Sequence, residues 1–148
     1  VGSIAAGKSH IAKALQKDEF PYPIYSIDDF RITNDASTQI GEERAQSEFI
    51  ESLEAEVGIY ECTGGGKIHP SLLQISNHFP FDCIFRVHAP VSLSVSRCLN
   101  RTDWPPYPYD IMPDQAIIQG INDDLDSLGF DLQNNSWNGQ QLLHIQGW

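Results

Sequence analysis

The chain has 148 residues, a length that suits one domain with a real core. Hydrophobic residues make up 41% of it, which argues against disorder, and no apolar run approaches the roughly 18 residues of a membrane span. With 20 acidic residues against 9 basic ones, the formal net charge is −11. That argues against a nucleic-acid partner, whose backbone needs a basic surface.

The N-terminus has no basic flank before a long apolar stretch, so no signal peptide is expected. Cys62, Cys83 and Cys98 are scattered, with no metal-ligand spacing. They suit the reducing cytoplasm and read as small buried hydrophobes. His10, His69, His78, His88 and His144 also lack metal spacing.

In chain order, a helix is predicted from about Lys8 to Gln16, with Ile11, Ala12 and Leu15 on its buried face. Pro21 and Pro23 break the chain before a short strand, Ile24 to Ile27, that ends at Asp28. A polar loop follows. The stretch from Glu42 to Glu56 has helical spacing, with Ala45, Phe49, Ile50 and Leu53 on one face. Val57 to Tyr60 reads as a strand ending at Glu61. Pro70 suits the first turn of a helix carrying Leu72, Leu73 and Ile75. Phe81 to Val87 is a further strand, with Arg86 structural within it, and Pro90 opens a helix to about Arg101.

Three prolines and two tyrosines make 103–110 a loop, and 102–112 the candidate lid, with Trp104, Tyr107 and Tyr109 as lid or packing residues. Pro113 starts a helix with Ile117, Ile121, Leu125 and Leu128 on one face, and Gly129 is placed to end it. Leu142 to Ile145 is the last strand, just before Gly147-Trp148. Strands alternating with helices predict an α/β domain spanning 1–148, a three-layer parallel sheet with helices on both faces. Ligands of such sheets bind at the carboxyl ends of the strands, where Asp28 and Glu61 fall.

Gly2-Ser3-Ile4-Ala5-Ala6-Gly7-Lys8-Ser9 fits the phosphate-binding pattern G-x-x-x-x-G-K-[ST]. Its glycines let backbone N–H groups turn toward a phosphate, and the helix that starts there points its positive dipole end at the same anion. Lys8 is placed to reach the β- and γ-phosphates of ATP, and Ser9 to ligand Mg²⁺. A buried strand leads into this motif in P-loop proteins, but only Val1 precedes Gly2. The expectation is therefore a fragment, or a chain whose N-terminal strand is missing.

A carboxylate after the second strand can accept an acceptor hydroxyl's proton. Asp28 is the candidate base; Asp29 is a candidate for the acceptor or for Mg²⁺. Arg31, one turn on, is placed to hold the acceptor or the transferring phosphoryl group. Glu61 is placed to orient Mg²⁺ through water. Gly64-Gly65-Gly66 can set bare backbone against a ligand. Arg97 and Arg101 share a helix face and can neutralise phosphate charge once the lid closes, with Arg97 on the nucleotide and Arg101 catalytic. Arg44 is a candidate ligand for an acceptor carboxylate or phosphate.

From Gly2 to about Arg101 the chain resembles the nucleoside-monophosphate-kinase-like P-loop kinases, and shikimate kinase most closely. The resemblance is carried by Gly2–Ser9, Asp28-Asp29, Gly41-Glu42…Arg44…Glu48, Thr63-Gly64-Gly65-Gly66 and Arg97…Arg101. It implies that Asp28 or Asp29, Arg44 and Gly64–Gly66 contact the acceptor. Asp28-Asp29-Phe30-Arg31 is similar to the Asp-Asp-aromatic-Arg of polynucleotide 5′-kinases and zeta-toxin-like kinases, in which the first Asp is the base and the Arg holds the substrate. Three functions are thus expected in order. The first is an ATP-dependent kinase of a small-molecule alcohol or acid. The second is a kinase of a nucleotide, nucleotide-sugar or polynucleotide end. The third is a non-catalytic nucleotide-binding domain.

Overall fold

A computed structural model describes residues 1–66, 71–77, 79–107 and 113–146 of the chain. In chain order the elements are α1 Lys8–Asp18, β1 Ile24–Ser26, α2 Ile27–Asn34, α3 Gln39–Ala55, β2 Ile59–Glu61, α4 Leu72–Ser76, β3 Ile84–His88, α5 Val91–Asn100, α6 Gln115–Asp126, β4 Ser136–Trp137 and β5 Gln140–Gln146. Pro70, His69, His78, Tyr109, Gly147, Trp148 and the 108–112 part of the predicted lid lie outside the described residues.

The helix starts follow from local chemistry. The Thr38 hydroxyl accepts from Gly41 N–H, Asp114 accepts from Ile117 N–H, and Ser71 with Gln74 forms a reciprocal capping box. Each cap satisfies donors that the first helical turn leaves without a partner.

The polar loop expected after the second strand is instead helix α2. The Ser26 hydroxyl accepts from Asp28 N–H, and Asp28 and Asp29 fill the first turn, where the helix dipole favours carboxylates. Eight polar-rich residues carry too short an apolar stripe to announce a helix by periodicity. The hairpin strand β4 also escaped the sequence reading. It is two residues long, and Asn135 and Asn138 beside it take left-handed φ.

The sheet departs from the expected single parallel layer. β1 and β2 form a parallel pair, with Ile24 opposite Ile59 and Ser26 opposite Glu61. β3 pairs parallel with β5, and β4 pairs antiparallel with β5, so the second sheet is mixed, in the order β3-β5-β4. Among the described residues, Val1 and Gly2 run between the two sheets. Val1 N donates to the Phe85 carbonyl at 2.7 Å, Val87 N–H donates to the Val1 carbonyl at 2.8 Å, and Gly2 N–H donates to the Thr63 carbonyl at 3.1 Å.

Behind Val1 the line continues as an apolar slot of about 340 Å³. Ile59 and Cys62 line one side, Ile84 and Phe85 the other, and Ile11 and Phe49 lie across it.

Around this frame lie three apolar clusters. Ile27, Phe49, Cys62 and Ile75 form one; Ala6, Ile11, Val87 and Ala89 another; Leu72, Ile84, Trp137 and Leu142 the third. Arg86 is buried and structural as expected: it donates to Asn122 at 3.2 Å and Asp126 at 3.4 Å, tying β3 to α6.

Candidate active site

The loop from Gly2 to Gly7 runs from the split sheet into α1. Gly2 is a close approach: a Cβ there would collide with the Val87 carbonyl. Gly7, which precedes the helix, has φ 99°, a left-handed conformation that side chains resist. Ile4, Ala5, Gly7, Lys8 and Ser9 line a cleft of about 380 Å³. Ser3 and Ala6 are fully buried and support the loop from behind. The Lys8 ammonium donates to the Ser3 carbonyl at 2.9 Å, bracing the loop. Burial lowers the Lys8 pKa, while Glu61 and Asp28 pull it back up. At the rim, Arg97 from α5 donates to the Ala5 carbonyl at 3.0 Å.

Across the cleft, the Ser9 hydroxyl donates to Glu61 Oε1 at 2.8 Å. Ser9 opens α1 and Glu61 ends β2, so a short serine and a strand-end carboxylate meet although 52 positions separate them. Among the described residues no group of three or more His, Cys, Asp or Glu could hold a metal alone. Two protein oxygens beside a phosphate loop fit Mg²⁺ nonetheless, because that ion keeps waters and takes its other ligands from substrate phosphates.

Asp28 faces the same cleft from the first turn of α2. One oxygen, Oδ1, accepts from Arg31 at 3.0 Å; Oδ2 lies 3.8 Å from Arg101. Arg101 ends α5, pairs with Asp103 at 3.3 Å and lies 4.5 Å from the Trp104 ring centroid. Of the eight described Lys and Arg residues, four (Lys8, Arg31, Arg97 and Arg101) line this cleft, a concentration of positive charge in an acidic protein.

Three sequence-derived assignments part from this arrangement. Asp29 is exposed on the far side of α2, since neighbours in a helix point about 100° apart. Arg44 is exposed on α3 and is not among the residues lining the cleft. Gly64, Gly65 and Gly66 are not among the residues lining the cleft: a Cβ on Gly64 would strike Val1, a Cβ on Gly65 would press on Asp124 and Ile121 of α6, and Gly66 N–H donates to Asp124 at 3.0 Å.

Arg31 reaches the cleft, but its guanidinium is engaged in a way the sequence did not reveal. Nε and NH2 donate to the two oxygens of Glu42 at 2.9 and 2.7 Å. In the sequence Glu42 stands out only within the Gly41-Glu42…Arg44 segment. The i, i+3 spacing of Asp28 and Arg31 was visible, but the pairing of α2 with α3 was not. Tyr107, from the candidate lid, covers Arg31 with its ring centroid 5.0 Å away.

No family model matches the chain, and no curated protein matches it in sequence. In fold the chain is similar to a solved kinase structure. That structure is deoxyadenosine kinase from M. mycoides with bound dATP, at a TM-score of 0.56 and 13% identity, over 98% of this chain and 88% of that one. Among the described residues no helix is long and apolar enough to cross a membrane.

Proposed function

We propose that the chain transfers the γ-phosphoryl group of ATP to a hydroxyl of a small-molecule acceptor. The observation that carries this reading is the single cleft that gathers Lys8, Ser9, Asp28, Glu61, Arg97 and Arg101 over the Gly2–Ser9 loop. Loop N–H groups and Lys8 bind the phosphates, and Arg97 steadies the loop. Ser9 and Glu61 would hold Mg²⁺, which would supply neutralisation of phosphate charge. Asp28 accepts the proton of the acceptor hydroxyl as its oxygen bonds to the γ-phosphorus. The bond from that phosphorus to the bridging oxygen breaks, and ADP leaves. Arg101 offsets the charge on the transferring group.

Residues 102–112 act as the lid, in keeping with the contacts that Trp104 and Tyr107 make at the cleft. The parallel pairs β1–β2 and β3–β5 read as parts of one three-layer sheet, to which β4 adds an antiparallel edge, and the cysteines suit a cytoplasmic setting. A nucleoside acceptor is the reading favoured by the likeness to deoxyadenosine kinase. The shikimate-like reading has less support, because Arg44 and Gly64–Gly66 do not line the cleft.

Mg²⁺-dependent ADP release from ATP tests the proposal. The acceptor panel spans nucleosides, shikimate, nucleoside monophosphates and a 5′-hydroxyl oligonucleotide. One acceptor class should stimulate release and appear phosphorylated by mass spectrometry. If ATP binds but no acceptor stimulates turnover, the non-catalytic nucleotide-binding domain replaces the kinase.

A further inference from the structure

Glu42 is the least exposed carboxylate near the cleft, 2% accessible on the first turn of α3, and its partner Arg31 is fully buried. The pair is bidentate, the fork-to-fork geometry that fixes a guanidinium's plane as well as its place. Glu42 is itself oriented from α3, because Gln46 donates to its Oε1 at 2.9 Å. On the other side of the guanidinium, NH1 reaches Asp28 Oδ1 at 3.0 Å. A chain of contacts thus runs Gln46–Glu42–Arg31–Asp28, from the interior of α3 to the cleft. Tyr107 closes over Arg31. Burial, with the Asp28 charge adding to it, pushes the Tyr107 hydroxyl up to about 12, so its ring covers the guanidinium as a neutral group.

We propose that Glu42 is a positioning residue for phosphoryl transfer: by clamping Arg31 it fixes the Asp28 carboxylate in one orientation toward the cleft, and it withdraws Arg31 from acceptor binding. The inference rests on the kinase reading above. It reverses the role that the Asp-Asp-Phe-Arg resemblance assigns to Arg31. A guanidinium whose fork is taken by a buried carboxylate is a poor clamp for a substrate anion, but a rigid bracket for a neighbouring carboxylate. A base held this way meets the acceptor hydroxyl already aligned, and a misplacement of about 1 Å can cost on the order of 10²-fold in rate.

Glu42→Gln alone is a poor probe, because it leaves the buried Arg31 cation short of its partner and threatens folding. Two better variants separate positioning from packing. Arg31→Met with Glu42→Leu replaces the pair by apolar side chains of similar size, a change that folds often tolerate. Arg31→Lys keeps the charge balance but cannot engage Glu42 as a fork while reaching Asp28. Thermal unfolding and steady-state kinetics are run on both variants and the unaltered chain, with the acceptor found above. Both variants should fold and keep KM for ATP within about twofold, with kcat lower by about 10–100-fold.

A folded variant with unaltered kcat overturns the inference and leaves the pair a packing device. Failure of both variants to fold assigns the pair to the core and overturns it equally. Absence of turnover in the unaltered chain is a different result: it removes the kinase reading, and this inference falls with it.

Discussion

Replacing Asp28 by Asn is expected to lower kcat about 10²- to 10⁴-fold, the usual worth of a positioned general base, while ATP binding changes little. The substitution suits the local geometry. Asn keeps an oxygen where Oδ1 accepts from Arg31 at 3.0 Å, and Glu42 continues to balance the Arg31 charge. What is lost is the oxygen that can take up a proton. The side chain of Asp28 is about a third exposed (32%), and the contact to Arg101 is long at 3.8 Å. Stability should therefore change by less than about 1 kcal/mol. Unfolding curves beside kcat and KM for ATP make the test. Wild-type kcat in the variant would remove Asp28 as the base; a large fall in Tm would mean that the carboxylate holds the fold instead.

Phe49→Ala is expected to destabilise the chain by about 3–5 kcal/mol, a large share of the 5–15 kcal/mol typical of a domain. Phe49 is fully buried on α3. Its ring meets Phe30 of α2 edge-on at 5.9 Å and Tyr60 of β2 at 5.9 Å, and Ile27, Cys62 and Ile75 complete the cluster. The lower end of the range is the better expectation. Phe49 also borders the apolar slot, so part of its surface already lacks contacts that a filled core would give. The effect should reach the site too, since α2 carries Asp28 and Arg31, α3 carries Glu42, and the Phe30–Phe49 contact packs the two helices together. Urea denaturation gives the stability and a parallel assay the rate. A loss below about 1 kcal/mol would mean that the core closes around the smaller residue.

Residues that act through local chemistry were readable in the sequence. The Gly2–Ser9 loop, the start of α1 at Lys8, the α3 apolar face around Ala45 and Phe49, and the placing of Asp28 and Glu61 after β-strands all depend on spacing, turn chemistry or helix period. Those signals lie within a few residues of the groups they position. The meeting of Ser9 with Glu61 was approached the same way, since carboxyl ends of parallel strands gather at one edge.

Tertiary structure alone decided the partners. A glycine run looks the same whether a ligand or the protein itself lies against it, and here Val1 and α6 do. An arginine after Asp28 looks free to hold a substrate until α3 brings Glu42 onto it. The interruption between β2 and β3 is likewise a matter of which edges face each other. The physical reason is common to all three. Periodicity and turn chemistry fix which way a side chain points along its own element, whereas the charge or backbone it meets depends on how distant elements pack, and single-chain spacing carries no measure of that.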